Sequence, residues 1–151
     1  MEARYLGIIT LGRKVRITDP CYDLKVWCSG EIEITPGEYE CTECIEEGRV
    51  ARLVLQNKDF SELESELQEV PFEVGVDSGQ AGVFDLDYYK KNQPSYDWYK
   101  RVCDITLGEQ RGGTIDGAGV VTESGWGDGG YTAFVTNKPN GETNTISIIF
   151  F

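Results

Sequence analysis

The closing stretch YTAFVTNKPNGETNTISIIFF, Tyr131 to Phe151, decides the fold class. Tyr131 to Thr136 is rich in β-branched and aromatic residues, Lys138-Pro139-Asn140-Gly141 interrupts it, and Thr143 to Phe151 resumes the pattern. Asn140-Gly141 between two such runs is a strong two-residue hairpin signal, because both residue types tolerate the positive φ of a tight turn. The Ile148-Ile149-Phe150-Phe151 ending would adhere to other chains if it lay on a bare sheet edge, so it is expected to be paired or covered.

Similar segments recur back through the chain. Leu6 to Leu11 is apolar and β-branched, and Gly12-Arg13-Lys14 turns it into the alternating run Val15 to Asp19. Asp19-Pro20-Cys21-Tyr22-Asp23 reads as a turn, since proline presets φ and aspartate favours the position before it. Glu31 to Thr35 alternates cleanly, Tyr39 to Ile45 and Val50 to Gln56 form a hairpin through Glu46-Glu47-Gly48-Arg49, and Phe72 to Val76 is a further strand. Asp77 to Gly82 is turn-rich, and Thr114 to Thr122 reads as one strand leading into the glycine-rich loop Ser124 to Gly130. Three helices compete for the remainder. Ser61-x-x-Glu64 has the shape of a capping box and predicts a short helix over 61–68. Asp85 to Lys91 is a second candidate, and Ser95 to Asp104 a better one, with Ser95 as N-cap and Trp98, Tyr99, Val102 and Cys103 at helical spacing. The expectation is a single domain over residues 1–151, mainly β, of eight to ten short strands with one or two short helices. A β-sandwich or open barrel is its simplest form. A chain of this length buries roughly 70% of its unfolded surface, so a core forms without staples.

Composition removes several chemistries. The 151 residues contain no histidine, which excludes Ser-His and Cys-His nucleophilic catalysis and nearly all catalytic zinc sites. The five cysteines are an odd number, and with no signal-peptide pattern at the start they point to reduced thiols in a cytoplasm. Cys41-Thr42-Glu43-Cys44 is a CxxC, but it lies in an extended run that sends the two thiols to opposite faces, so no metal is expected there. No run approaches the ~18 apolar residues of a membrane span. Net charge is −12, which argues against nucleic acid, whose phosphates need Lys and Arg, and suits a basic protein partner. The loops Asp77 to Gly82 and Ser124 to Gly130 lack the lysine of a P-loop, and no calcium-loop spacing of acids is present. Asp85 and Asp87, like Asp77 and Asp85, are close in sequence, but 26 acids produce such neighbours by chance. No cofactor is expected.

Three segments combine unusual backbone demands with polar and aromatic side chains: Asp19-Pro20-Cys21-Tyr22, Val76 to Asp85 (VDSGQAGVFD), and Ser124 to Tyr131 (SGWGDGGY). Together with Arg101 to Thr106 they resemble an uncharacterised family of small proteins from bacteria and their phages. Its members carry an "ISDPCY"-like start, a "VDSGQAGxFD" centre and a "SGYGDGxY" end before a last hairpin. The resemblance spans essentially the whole chain, with Trp126 where tyrosine is usual. It implies a bacterial or phage setting and a host-cell cytoplasmic location, and carries no activity across.

If the three loops gather at one end of the sheet, they form a ligand pocket. Tyr22, Trp126 and Tyr131 would stack on a planar group, while Asp77, Gln80, Ser124 and Asp128 supply polar contacts. Cations for a phosphate would come from Arg13, Lys14, Arg16 or Arg111. Glycines and aspartates also build plain corners, and that reading stands beside the first. The favoured function is a non-enzymatic protein that sequesters a nucleotide-like signal in the contest between bacteria and phages. The alternatives are an acidic inhibitor or immunity-type protein that binds a basic protein, and a histidine-free hydrolase using Asp77 with Asp85 or Asp128. Oligomeric state is left open.

Overall fold

Alternating sequence becomes two antiparallel sheets packed face to face, in a computed structural model that describes residues 1–93 and 95–151. In chain order the elements are β1 (Glu2–Leu11), β2 (Lys14–Thr18), β3 (Gly30–Glu33), β4 (Gly37–Glu46), β5 (Arg49–Asn57), β6 (Glu66–Glu69), β7 (Val74–Val76) and β8 (Gln80–Asp85). Then follow α1 (Leu86–Asn92), α2 (Tyr96–Thr106), β9 (Gly112–Ile115), β10 (Gly119–Glu123), β11 (Gly129–Asn137) and β12 (Thr143–Ile149). The larger sheet runs β1-β4-β5-β12-β11-β6, with β7 also on β11, and the smaller runs β3-β2-β8-β10-β9. The protein is thus mainly β and sandwich-like, with two short helices. No helix among the described residues is long and apolar enough to cross a membrane.

The two sheets share one core. Ile9, Leu11, Tyr39, Leu53, Leu55, Ile146, Ile148 and Phe150 from the large sheet meet Val15, Ile17, Val83 and Val120 from the small one, all almost fully buried. The terminal strand is paired as expected, because β12 lies between β5 and β11, and Phe150 is buried, whereas Phe151 beyond it is 69% exposed. A second cluster sits on the outer face of the small sheet under the helices, where Phe84, Tyr89, Trp98, Val102, Ile115 and Val121 pack together. Its rings meet edge to face, Trp98 standing 5.6 Å from Phe84 and 5.8 Å from Tyr89. Asp85 and Ser95 cap the two helices by accepting from the Tyr88 and Trp98 amides.

One side of the sandwich is closed and the other open. Where β1 and β9 border each other, the Thr10 amide donates to the Gly117 carbonyl at 2.8 Å. On the opposite side, β3 ends one sheet and β6 the other, and no strand joins them among the described residues.

Several expectations are corrected. The last hairpin does not turn on two residues: Gly141 donates to the Lys138 carbonyl and takes φ +88. A two-residue turn would make Pro139 part of the closing pair, and proline has no N–H to give it. A tight turn at Asp116-Gly117, both at positive φ and closed by Ala118 N on the Ile115 carbonyl, splits the single strand expected over 114–122 into β9 and β10. Residues 61–68 form no helix. Ser61 Oγ accepts from Leu63 N, Asn144 Oδ1 accepts from the Ser61 amide, and Glu66–Glu69 becomes strand β6. Long-range pairing with β11 outweighs the weak helical pattern there. Gln80 to Gly82 belong to β8 and not to a turn, and Gly82 is glycine because a Cβ there would run into the Val120 carbonyl oxygen and the Phe84 ring. Twelve strands therefore stand where eight to ten were expected.

Candidate functional site

The three motif loops do meet, and Asp19 joins the first two. Its side chain is fully buried. Oδ1 accepts from Cys21 N at 2.8 Å and Ser78 Oγ at 2.6 Å, while Oδ2 accepts from the Asp77 and Ser78 amides at 2.9 and 2.8 Å. Four donors on one carboxylate make a strong, charge-assisted link between chain segments 58 to 59 residues apart. The helices hold the same loop from outside, since Trp98 Nε1 donates to the Pro20 carbonyl at 2.7 Å and Tyr89 OH donates to the Tyr22 carbonyl.

The second and third loops meet through the backbone. Ser124 N donates to the Gly79 carbonyl at 3.0 Å, and β7 pairs with the start of β11, with Val76 opposite Gly129. One step beyond that pair stand Asp77 and Asp128, both exposed. Gln80 points inward: its Oε1 accepts from Thr106 Oγ1 at 2.9 Å, and its Nε2 faces Ser78 Oγ, Cys21 Sγ and Cys103 Sγ. Tyr22 is half-buried, and burial beside Cys28 and Asp19 pushes its phenol up.

The glycine-rich loop is also braced from within. Ser124 Oγ and Tyr131 OH both donate to the Gly127 carbonyl at 2.8 Å, and Gly127 N returns to the Ser124 carbonyl at 3.3 Å. Gly125, at φ +63, lies so close to the Val50 carbonyl and to Phe150 that no side chain fits there. Tyr131 is buried, its ring edge-on to Phe150 at 5.3 Å. Of the three aromatics expected to stack on a ligand, only Trp126 is largely exposed, at 63%.

Trp126 overlooks a groove of about 480 Å³ that runs between the β4–β5 turn and Phe150. Arg49 lies over the indole with its guanidinium carbon 4.1 Å from the ring centroid, and its NH1 donates to the Gly125 carbonyl at 3.3 Å. Glu46 and Glu47 line the same groove, and Arg111 donates to the Gly48 carbonyl beside it. Arg49, Glu46 and Glu47 were legible in the sequence only as a hairpin turn. Nothing local announces that this turn meets Trp126, 77 residues further on.

Burial pushes the Cys21 thiol up to about 11 and Cys41 to about 12, so both are protonated and unreactive at neutral pH. Asp85 is occupied at both oxygens, by Gly12 N and by the helix-capping Tyr88 N. Cys41 belongs to the main core, whereas Cys44, on the same strand, does not. Among the described residues no three His, Cys, Asp or Glu side chains are grouped to hold a metal ion. One titratable group lies apart from these loops. Glu43 of β4 is fully buried, both its oxygens lack a hydrogen-bond partner, and burial raises it to about 7 although Arg4 is 4.0 Å away. The chain matches no protein-family model, no curated protein and no solved structure.

Proposed function

We propose that this is a non-catalytic binding protein that captures a planar, nucleotide-like small molecule against Trp126. The observation that carries the reading is an indole that is 63% exposed on a loop braced by hydrogen bonds within itself and to its neighbours. Such a loop is already ordered before a ligand arrives, so little conformational entropy is lost on binding. A heterocycle stacks on the indole, its ring N–H groups meet Glu46 or Glu47, and Arg49 and Arg111 face a phosphate or carboxylate. Two cations in a chain of net charge −12 favour a ligand with few negative charges. The resemblance to proteins of bacteria and phages supports a role in sequestering a nucleotide signal in the host cytoplasm during infection.

Native mass spectrometry of protein purified from signal-producing bacterial cells, before and after heating, tests this directly. The expected result is a mass excess released on heating as an ultraviolet-absorbing small molecule. Trp126→Ala should then weaken rebinding about 10- to 100-fold, the range of one base–aromatic stack, with an unchanged melting temperature. Protein free of any ligand that also fails to bind a nucleotide panel, or full affinity in Trp126→Ala, overturns the proposal.

A further inference from the structure

The open side of the sandwich carries a second groove, remote in sequence from Trp126. Between the edge strands β3 and β6 lies a groove of about 300 Å³. Half-buried Ile32 and Val135 and the buried Val70 supply its apolar lining, and Glu31, Glu33 and Glu69 supply its charge, with no Lys or Arg among the lining residues.

Hydrogen-bond alternation shows what the β3 edge offers. The Ile34 amide donates to the Arg13 carbonyl. Ladder bonds in an antiparallel pair fall on every second residue, so Gly30 and Ile32 also bond to β2, through Ile17 and Val15. The N–H and C=O groups of Glu31 and Glu33 therefore point away from β2, toward the groove. The same count applies on the far side, where Val70 N donates to the Ala133 carbonyl. There it turns the backbone of Leu67 and Glu69 outward. Side chains alternate independently of this: Ile32 packs against the core, while Glu31 and Glu33 lie on the solvent face. Glu31 is held by Arg16 at 3.2 Å, and Lys14 flanks Glu33 from β2. Among the described residues no strand pairs with the other edge of β3.

We infer that the β3 edge and its groove accept a short extended segment of a basic partner protein, added as a strand beside Glu31–Glu33. Its residues would alternate basic and apolar. The basic ones would sit on the solvent face beside the two glutamates, and the apolar ones would enter the groove against Ile32, Val70 and Val135. Charge selects this occupant over a second copy of the chain. Two β3 edges brought together would set glutamate against glutamate, in a molecule that already carries −12. Phe72 against Gly30, and the Gly75 amide on the Cys28 carbonyl, close one end of the edge. The added strand is thus confined to about four residues, as two outward-facing positions require.

The test is an amide-resolved NMR titration with a Lys-Val-Lys-Val-Lys-Val peptide, alongside a peptide of the same composition ordered Lys-Lys-Lys-Val-Val-Val. Only the alternating peptide should bind saturably, with shifts confined to residues 31–33 and 67–70 and slowed hydrogen exchange at the Glu31 and Glu33 amides. Glu33→Pro removes one outward N–H while leaving every ladder bond to β2 in place, and it should weaken binding at least tenfold. Glu33→Lys should do the same by charge, should the proline variant not fold. Trp126→Ala should leave peptide binding unchanged, which separates this surface from the nucleotide reading. The inference is overturned by equal binding of the block peptide, by unprotected Glu31 and Glu33 amides at saturation, or by a protein dimer that protects those same amides without peptide.

Discussion

Glu43 shows how one side chain can set a pH dependence. Its neighbours are Arg4 and Glu2 from β1, Glu123 from β10 and Arg111 ahead of β9, and together they do not offset its burial. The folded-state value of about 7 lies above the ordinary 4.5, so between those two pH values the folded chain holds a proton that the unfolded chain has released. Its contribution to stability is therefore lost as pH rises through that window and reaches its floor above pH 7. Wild type should lose on the order of 3 kcal/mol against Glu43→Gln between pH 4.5 and 8, the size of a shift of two to three units. Urea denaturation of both proteins across that range measures it, and parallel curves would show that Glu43 ionises normally. Composition alone hides this residue among 26 acids. Strand alternation places it on the face of Tyr39 and Cys41, a signal that could have been read.

At the scale of elements, legibility followed the strength of local chemistry. The β4–β5 hairpin, the turn at Asp19-Pro20 and the Ser95-capped helix were legible because each rests on a pattern within ten residues. The capping-box pattern at Ser61 misled, because its polar groups are taken by Asn144, 83 residues away. Asn140-Gly141 and Asp116-Gly117 carry the same turn chemistry, but only the second holds both residues at positive φ, because Pro139 before the first cannot donate in a closing pair. Gly117 sits at φ +63 with open space where a Cβ would be, so Gly117→Ala should cost only its backbone strain, about 1–2 kcal/mol. Gly119→Ala should cost more, because its Cβ would meet the Phe84 ring. Thermal melts of the two variants check the order. Of the candidate site, Trp126 was legible as an aromatic in a glycine loop. Gln80, Ser124 and Tyr131 were legible as polar but not as inward-facing, since their direction depends on hydrogen bonds the fold creates.

The whole molecule carries its charge unevenly matched. Six ion pairs are present among the described residues, most of them partly exposed and worth little each, so they do not offset a net charge of −12. Self-repulsion should therefore dominate the salt response, and the melting temperature should rise from 50 to 300 mM NaCl as screening grows. A fall would mean that the ion pairs outweigh the repulsion. The placement of β12 has a temporal consequence. It pairs with β5, whose Leu55 lies opposite Ile146, a partner separated by roughly ninety residues of chain, and contacts of that span make folding slow. During synthesis the β4–β5 hairpin emerges long before β12 does. The nascent chain must carry β5 with one bare edge, presenting Leu53 and Leu55, and those seconds of exposure make a chaperone's protection most valuable to this protein before it is finished.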